Sequence, residues 1–153
     1  MSTIEELLQK HALVLPAVSM GAGNYQPFYR VGNLLFLSGQ GPRDEDNKLR
    51  TGRLGENYTT EQGAQDAQRI GLQLIATAKL ALGDLDRVKG VVKILGLVNC
   101  MPAYTEQPKV IDGCSKLFKL VLPDAPGHSR SAVGTNSLPG GISVEIEAIF
   151  EVD

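Results

Sequence analysis

Arg130 and Glu145 are the residues of this chain whose types and spacing most invite chemistry. Arg130 heads a short apolar run, Ala132-Val133-Gly134, and Glu145 lies in the alternating segment that follows the turn Leu138-Pro139-Gly140-Gly141. A guanidinium is a planar, permanently charged fork that fits a carboxylate. A carboxylate beside it can orient it or hold a water, and a hairpin-like connection through the turn would bring the two together. The plainer alternative is a salt bridge from Arg130 to Glu145 or Glu147, since glutamates on a polar strand face are mostly just solvated. Tyr25 in a Gly/Asn loop and Ser38-Gly39-Gln40 at a strand end are further candidates, because a backbone-permissive corner lets a ligand approach main-chain N–H groups. His128 beside a Gly-rich turn reads as an exposed, idle histidine. Tyr104 reads as a cleft edge or as core. Cys114, on an apolar helix face, reads as a small buried hydrophobe. The sequence holds no phosphate loop or dinucleotide fingerprint, and no nucleophile–base–orienter set.

The elements that must carry these residues follow from periodicity and punctuation. Residues 2–12 read as a short helix, with Ser2/Glu5 or Thr3/Glu6 as a capping box and Ile4, Leu7, Leu8 and His11 at helical spacing. Residues 17–27, with Gly21, Gly23, Asn24 and Pro27, read as a loop. Phe28–Val31 and Leu34–Ser38 read as strands joined by the two-residue turn Gly32-Asn33. The charged run Arg43–Arg50 reads as a solvated loop or hairpin. A long helix is expected from Thr60 to Leu82, capped by Thr59 or Thr60 and stopped by Gly83. Its stripe of Ala64, Ala67, Ile70, Gly71, Leu74, Ile75 and Ala78 suggests close packing on a sheet. Val88–Val98 is β-branched and reads as a strand with weak points at Gly90 and Gly96. A second helix begins near Pro108 and buries Val110, Ile111, Cys114, Leu117, Phe118 and Val121. A final strand pair follows, its last member alternating from Ile142 to Val152. Two helices on one face of a mixed or antiparallel sheet make an α+β sandwich, with residues 1–153 as one domain.

Composition narrows the function classes. The chain has 153 residues, 42% of them apolar, a net charge of −2 and 5% aromatics with no Trp, and an isoelectric point near 5.7. That is not the basic, aromatic surface that nucleic acid requires. Two cysteines and two histidines without ligand spacing point to no metal. An acidic N-terminus and the lack of a long apolar run point to a cytoplasmic protein with no membrane association.

Together the blocks LFLSGQ (Leu35–Gln40, preceded by Leu34) and RSAVG…LPGG…VEIEAIF (Arg130–Gly134, Leu138–Gly141, Val144–Phe150), with Tyr25 and Gly32-Asn33 upstream, resemble the RidA/YjgF family, the one also named endoribonuclease L-PSP. The resemblance runs from about Tyr25 to Val152 and is closest to a longer branch of that family. It implies a chorismate-mutase-like fold and a homotrimer with clefts between subunits. It implies hydrolytic deamination of reactive enamines and imines of the 2-aminoacrylate type to 2-keto acids and ammonia, without a cofactor. Carried over by position, Arg130 would clamp the substrate carboxylate and Glu145 would hold the attacking water. The backbone of Ala132 would contact that water or the imine nitrogen, and Tyr25, Ser38 and Gly39 would line the cleft. Asp112 stands where the family often has Asn. The N-terminal helix and the Arg43–Arg53 loop go beyond the compact members. A non-catalytic trimer that binds a small 2-keto acid is the alternative, and RNA cleavage is disfavoured by the acidic balance.

Overall fold

The computed structural model describes residues 3–18, 20 and 23–153. Ser2 and Gly21 lie outside them, so the Ser2/Glu5 cap is untested, whereas the Thr3/Glu6 capping box is present with both reciprocal hydrogen bonds. Helix α1 spans Ile4–Lys10 and buries Ile4, Leu7 and Leu8. It ends short of residue 12 because Ala12 takes a positive φ of 53°, which closes the last turn. Strands β1 (Phe28–Val31) and β2 (Leu34–Gln40) form the expected hairpin, with Val31 opposite Leu34 and Gly32 at φ 58°. Helix α2 spans Thr60–Leu82, capped reciprocally by Thr59 and Gln62 and stopped at Gly83, whose φ of 80° suits glycine. Strand β3 covers Val88–Asn99, α3 Gln107–Val121, β4 Ser129–Thr135 and β5 Val144–Val152.

The sheet order is β1-β2-β5-β3-β4, antiparallel throughout except for the parallel β3–β4 pair. This corrects one expectation. The last two strands are not neighbours, since β3 lies between them. The reason is the parallel pairing: a strand that enters alongside β3 must cross over the sheet end before the chain can return antiparallel on β3's other side. The 139–141 turn spans that crossing.

Both long helices cover one face of the sheet. Val144, Ile146, Ala148, Phe150 and Val152 of β5 alternate into this layer and are all buried, together with Leu35, Leu37, Ile94 and Val98. The small residues of α2 serve a different neighbour from the one expected. A Cβ on Gly71 would meet the Leu117 and Cys114 side chains of α3, and a Cβ on Gly113 would run into the backbone carbonyl of Ala64. Small residues therefore set how closely α2 and α3 approach each other, and not only how they seat on the sheet. Gly113→Ala is expected to destabilise the fold by about 2–3 kcal/mol, since a backbone carbonyl cannot yield as a side chain can. Thermal unfolding measures this, and an unchanged midpoint would show that the helix pair has slack.

The other sheet face is uncovered. One row across it reads Tyr29, Phe36, Ile149, Lys93 and Ser129; Glu147 pairs with Leu95 and Glu145 with Leu97 in the rows beyond. Tyr29 is 69% exposed and Phe36 41%. These two large side chains lie side by side on the β1–β2 end of that face.

Candidate functional site

The expected site residues fall into two groups at different places on the chain. Tyr25, Ser38, Gly39 and Glu145 come together around one cavity of about 250 Å³, which Pro27, Gln40, Gly41, Arg43, Leu49, Gln73, Pro139 and Ile142 also line. A local irregularity shapes it. Leu37 lies opposite Ala148 and Gln40 opposite Ile146, so Ser38 and Gly39 together face the single residue Glu147. This bulge turns the strand end. Ser38 is held by donating to the Gln26 carbonyl at 2.6 Å. A Cβ on Gly39 would come 2.6 Å from Oε1 of Glu145, so glycine at this position is what leaves room for the carboxylate.

Arg130 and Asp112 lie at a second cavity of about 440 Å³ with Ser115, Phe118, Lys119 and His128. Arg130 Nη1 donates to Asp112 Oδ1 at 2.7 Å and to Ser115 Oγ at 3.0 Å, both on α3. The salt bridge foreseen for Arg130 thus exists, but to Asp112 rather than to Glu145 or Glu147. Arg130 Nη2 reaches only the Pro108 carbonyl, at 3.5 Å. Ala132 follows Arg130 on the same face of β4 and packs against the core. Because β4 is the last strand of the sheet, its outer backbone groups have no strand partner among the described residues.

Arg130 pairs across β3–β4 with Ile94, which is wholly buried under the helices, and its side chain reaches α3. Glu145 pairs with Leu97 on the other side of β3 and lies between the buried Val144 and Ile146. The two residues therefore sit on opposite faces of the sheet and on opposite sides of β3. One chain cannot bring them into a single pocket, contrary to the hairpin expectation.

The Glu145 carboxyl is pushed above the usual carboxylate range, first by burial and then by the nearby Glu147 carboxylate. A raised value means that the ionised form is lost at a higher pH as the solution is acidified. Turnover that needs ionised Glu145 should therefore fail on the acid side sooner than for a free carboxylate. Glu147→Gln removes the repulsion and is expected to move that acid limb to lower pH. The pH profile of kcat/KM measures it, and a limb that stays in place would assign it to another group.

Tyr104 packs partly buried against the core, one of its two readings, and its hydroxyl shares a 2.7 Å hydrogen bond with Thr60 Oγ1. Cys114 is buried as read, and burial pushes its thiol far up, so no thiolate is offered. His128 stacks edge-on against Phe118, 6.2 Å between ring centres.

Two features escaped the sequence reading. Arg43, taken as part of a solvated loop, lines the Glu145 cavity. Asp66 on α2 is 0% exposed and gathers three donors, namely Arg50, the Tyr58 hydroxyl at 2.7 Å and the Ser143 hydroxyl. Tyr58 also accepts from Arg50 Nη2 at 3.1 Å. This network ties the 50–58 segment and the start of β5 to the helix layer, and so holds one wall of the cavity.

A five-stranded mixed sheet backed by helices on one face, with the Ser38-Gly39 bulge beside a strand glutamate, defines an α+β domain of the chorismate-mutase-like class. The model of the family described as "YjgF/chorismate_mutase-like, putative endoribonuclease" matches residues 5–146, and the chain belongs to that family. It is similar to Protein TCP17 of Trypanosoma cruzi, 40% identical over 147 residues that cover 95% of this chain and 92% of the relative. Among solved structures it resembles Atu1372 of Agrobacterium tumefaciens, described as of unknown function, at 39% identity, 99% and 94% coverage and a TM-score of 0.90. It also resembles RidA from the Antarctic bacterium Psychrobacter sp. PAMC 21119, at 26% identity, 88% and 94% coverage and a TM-score of 0.58. No described helix is long and apolar enough to cross a membrane.

Proposed function

We propose that the protein hydrolyses reactive 2-imino acids and their enamine tautomers to 2-keto acids and ammonia, in clefts formed between the subunits of a homotrimer. One observation carries the reading: Arg130 and Glu145 lie on opposite faces of the same sheet, so the carboxylate clamp and the water-holding carboxylate can meet only across a subunit boundary. The uncovered row of Tyr29, Phe36, Ile149 and Lys93 supplies a surface for such an assembly. Arg130 stands on the edge strand, where a neighbour's Tyr25, Ser38, Gly39 and Glu145 can approach it.

The chemistry asks little of the protein. The substrate carboxylate sits on the Arg130 fork, which fixes the C=N carbon. Water held by Glu145 and by the backbone at Ala132 attacks that carbon while Glu145 takes a proton from it. The resulting carbinolamine carries both OH and NH₂ on one carbon. The proton passes to nitrogen, the C–N bond breaks, and ammonia leaves with the new C=O in place. A protonated imine is already electrophilic, so no covalent nucleophile is needed, and the buried Cys114 is consistent with that.

Trimer mass in solution and ammonia release from an imine made in situ by an amino-acid oxidase test the reading, with a trimer that accelerates release expected. A monomer, or a trimer that leaves the spontaneous rate unchanged, would contradict it. The second outcome would favour a ligand-binding trimer, a reading for which the standing Arg130–Asp112 pair speaks. The endoribonuclease in the family description is the weaker reading for this chain. Its net charge is −2 and the Glu145 cavity offers RNA no cationic track.

A further inference from the structure

Arg43 is the cation on the Glu145 side of the cleft. It lines the same 250 Å³ cavity as Tyr25, Ser38, Gly39 and Glu145. Its neighbours in sequence and space have their charges answered, Arg50 by Asp66 and Arg69 by Glu45. Arg43 forms no salt bridge among the described residues, not even with Glu145 in the same cavity.

The fold holds it firmly all the same. Its N–H donates to Gln73 Oε1 at 3.0 Å, its carbonyl accepts from Arg69 at 3.4 Å, and its Nη1 donates to the Asn47 carbonyl at 2.8 Å. Gln73 is itself buried, and its amide nitrogen is spent on the Gly41 carbonyl at 2.9 Å and on Gln40 Oε1 at 3.1 Å. A buried glutamine of α2 is thus used entirely to pin the Gln40–Arg43 corner. Gln73 and Arg69 thus fix the Arg43 backbone and the Asn47 carbonyl holds one end of its guanidinium, while Nε and Nη2 have no partner among the described residues, which leaves them for an anion.

We propose that Arg43 is a second acid-binding group, which selects substrates bearing a distal carboxylate besides the one at the reacting carbon. This rests on the deaminase reading of the cleft. Asp112 offsets much of the charge of Arg130, so of the two guanidinium groups lining these cavities Arg43 is the one without a carboxylate partner among the described residues. A substrate with one carboxylate leaves one guanidinium unanswered. A short diacid satisfies both, with its reacting carbon between them and beside Glu145.

The test compares imines generated in situ from aspartate and from alanine by the matching amino-acid oxidases, with kcat/KM read from ammonia release. Wild-type protein is expected to favour the diacid imine. Arg43→Gln is expected to lower the diacid-over-monoacid ratio by roughly 10- to 100-fold, and Arg43→Lys by less. Lys48→Gln, on the exposed tip of the same loop, is expected to keep the ratio. A ratio unmoved by Arg43→Gln overturns the proposal. If neither imine is hydrolysed, the deaminase reading fails by itself and calorimetry with oxaloacetate and pyruvate decides the subsite. Tighter binding of oxaloacetate that Arg43→Gln removes sustains it, and equal affinities overturn it.

Discussion

Replacing Asp66 with alanine is expected to destabilise the protein by about 3–5 kcal/mol, which for a domain of this size lowers the melting midpoint by roughly 10 °C or more. The carboxylate is 0% exposed and answers Arg50, Tyr58 and Ser143 together. Its removal leaves the wholly buried Ser143 hydroxyl without an acceptor and the Arg50 guanidinium, itself largely covered, without its counter-charge. Burial and the Asp66 contact also push the Tyr58 phenol up, so that hydroxyl stays a donor across the working pH range. The damage should be local before it is global. The 42–58 segment should become protease-sensitive at temperatures where the helices remain intact, because Asp66 is what ties it to α2. Circular dichroism melts and limited proteolysis measure the two effects. A midpoint lowered by only one or two degrees would show that the network is replaceable by water.

The largest effect on activity is expected from Arg130→Ala, a fall in kcat/KM of roughly 100- to 1,000-fold. In the chain as it stands Asp112 and Ser115 hold Nη1, which aims the fork and leaves Nε and most of Nη2 for a ligand. Arg130→Lys should recover little, since a point charge cannot reproduce a two-toothed grip held from α3. The melting midpoint should move far less than for Asp66→Ala, because Arg130 and Asp112 are both partly exposed and such pairs contribute little stability. An Arg130→Ala protein of normal stability and full activity would remove the carboxylate clamp from the account.

What the sequence disclosed divides along the range of the interaction involved. The ends of α2 were legible because Thr59 and Gly83 act within one turn of the residues they cap; the reciprocal bond from Gln62 went unread. The β1–β2 hairpin was legible because Gly32-Asn33 admits little else. The placing of β3 between β4 and β5 was not, since strand adjacency is a non-local choice that turn residues do not encode. The long apolar run of β3 is in retrospect the mark of a central strand. That misreading carried over to the site: Arg130 and Glu145 were singled out together, but as hairpin neighbours, whereas they lie on opposite sides of β3. Asp66 left a signal that went unread. It stands three residues after the buried Gly63 and four before the buried Ile70, on the apolar stripe of α2 itself, where a carboxylate needs a partner. Arg43 left none, because a charged, turn-rich loop looks the same whether or not one of its arginines lines a cavity.

The central claim is that each site draws Arg130 from one subunit and Glu145 from another, and subunit mixing tests it most directly. Arg130→Ala and Glu145→Gln proteins, each inactive alone, are unfolded together in equal amounts, refolded and assayed for imine hydrolysis. If the site spans the boundary, a site is intact when its Arg130 comes from the Glu145→Gln chain and its Glu145 from the Arg130→Ala chain. Random trimers should then recover about one quarter of wild-type activity, one half multiplied by one half. A mixture no more active than its two parents, with mixed trimers verified by mass, would contradict the account.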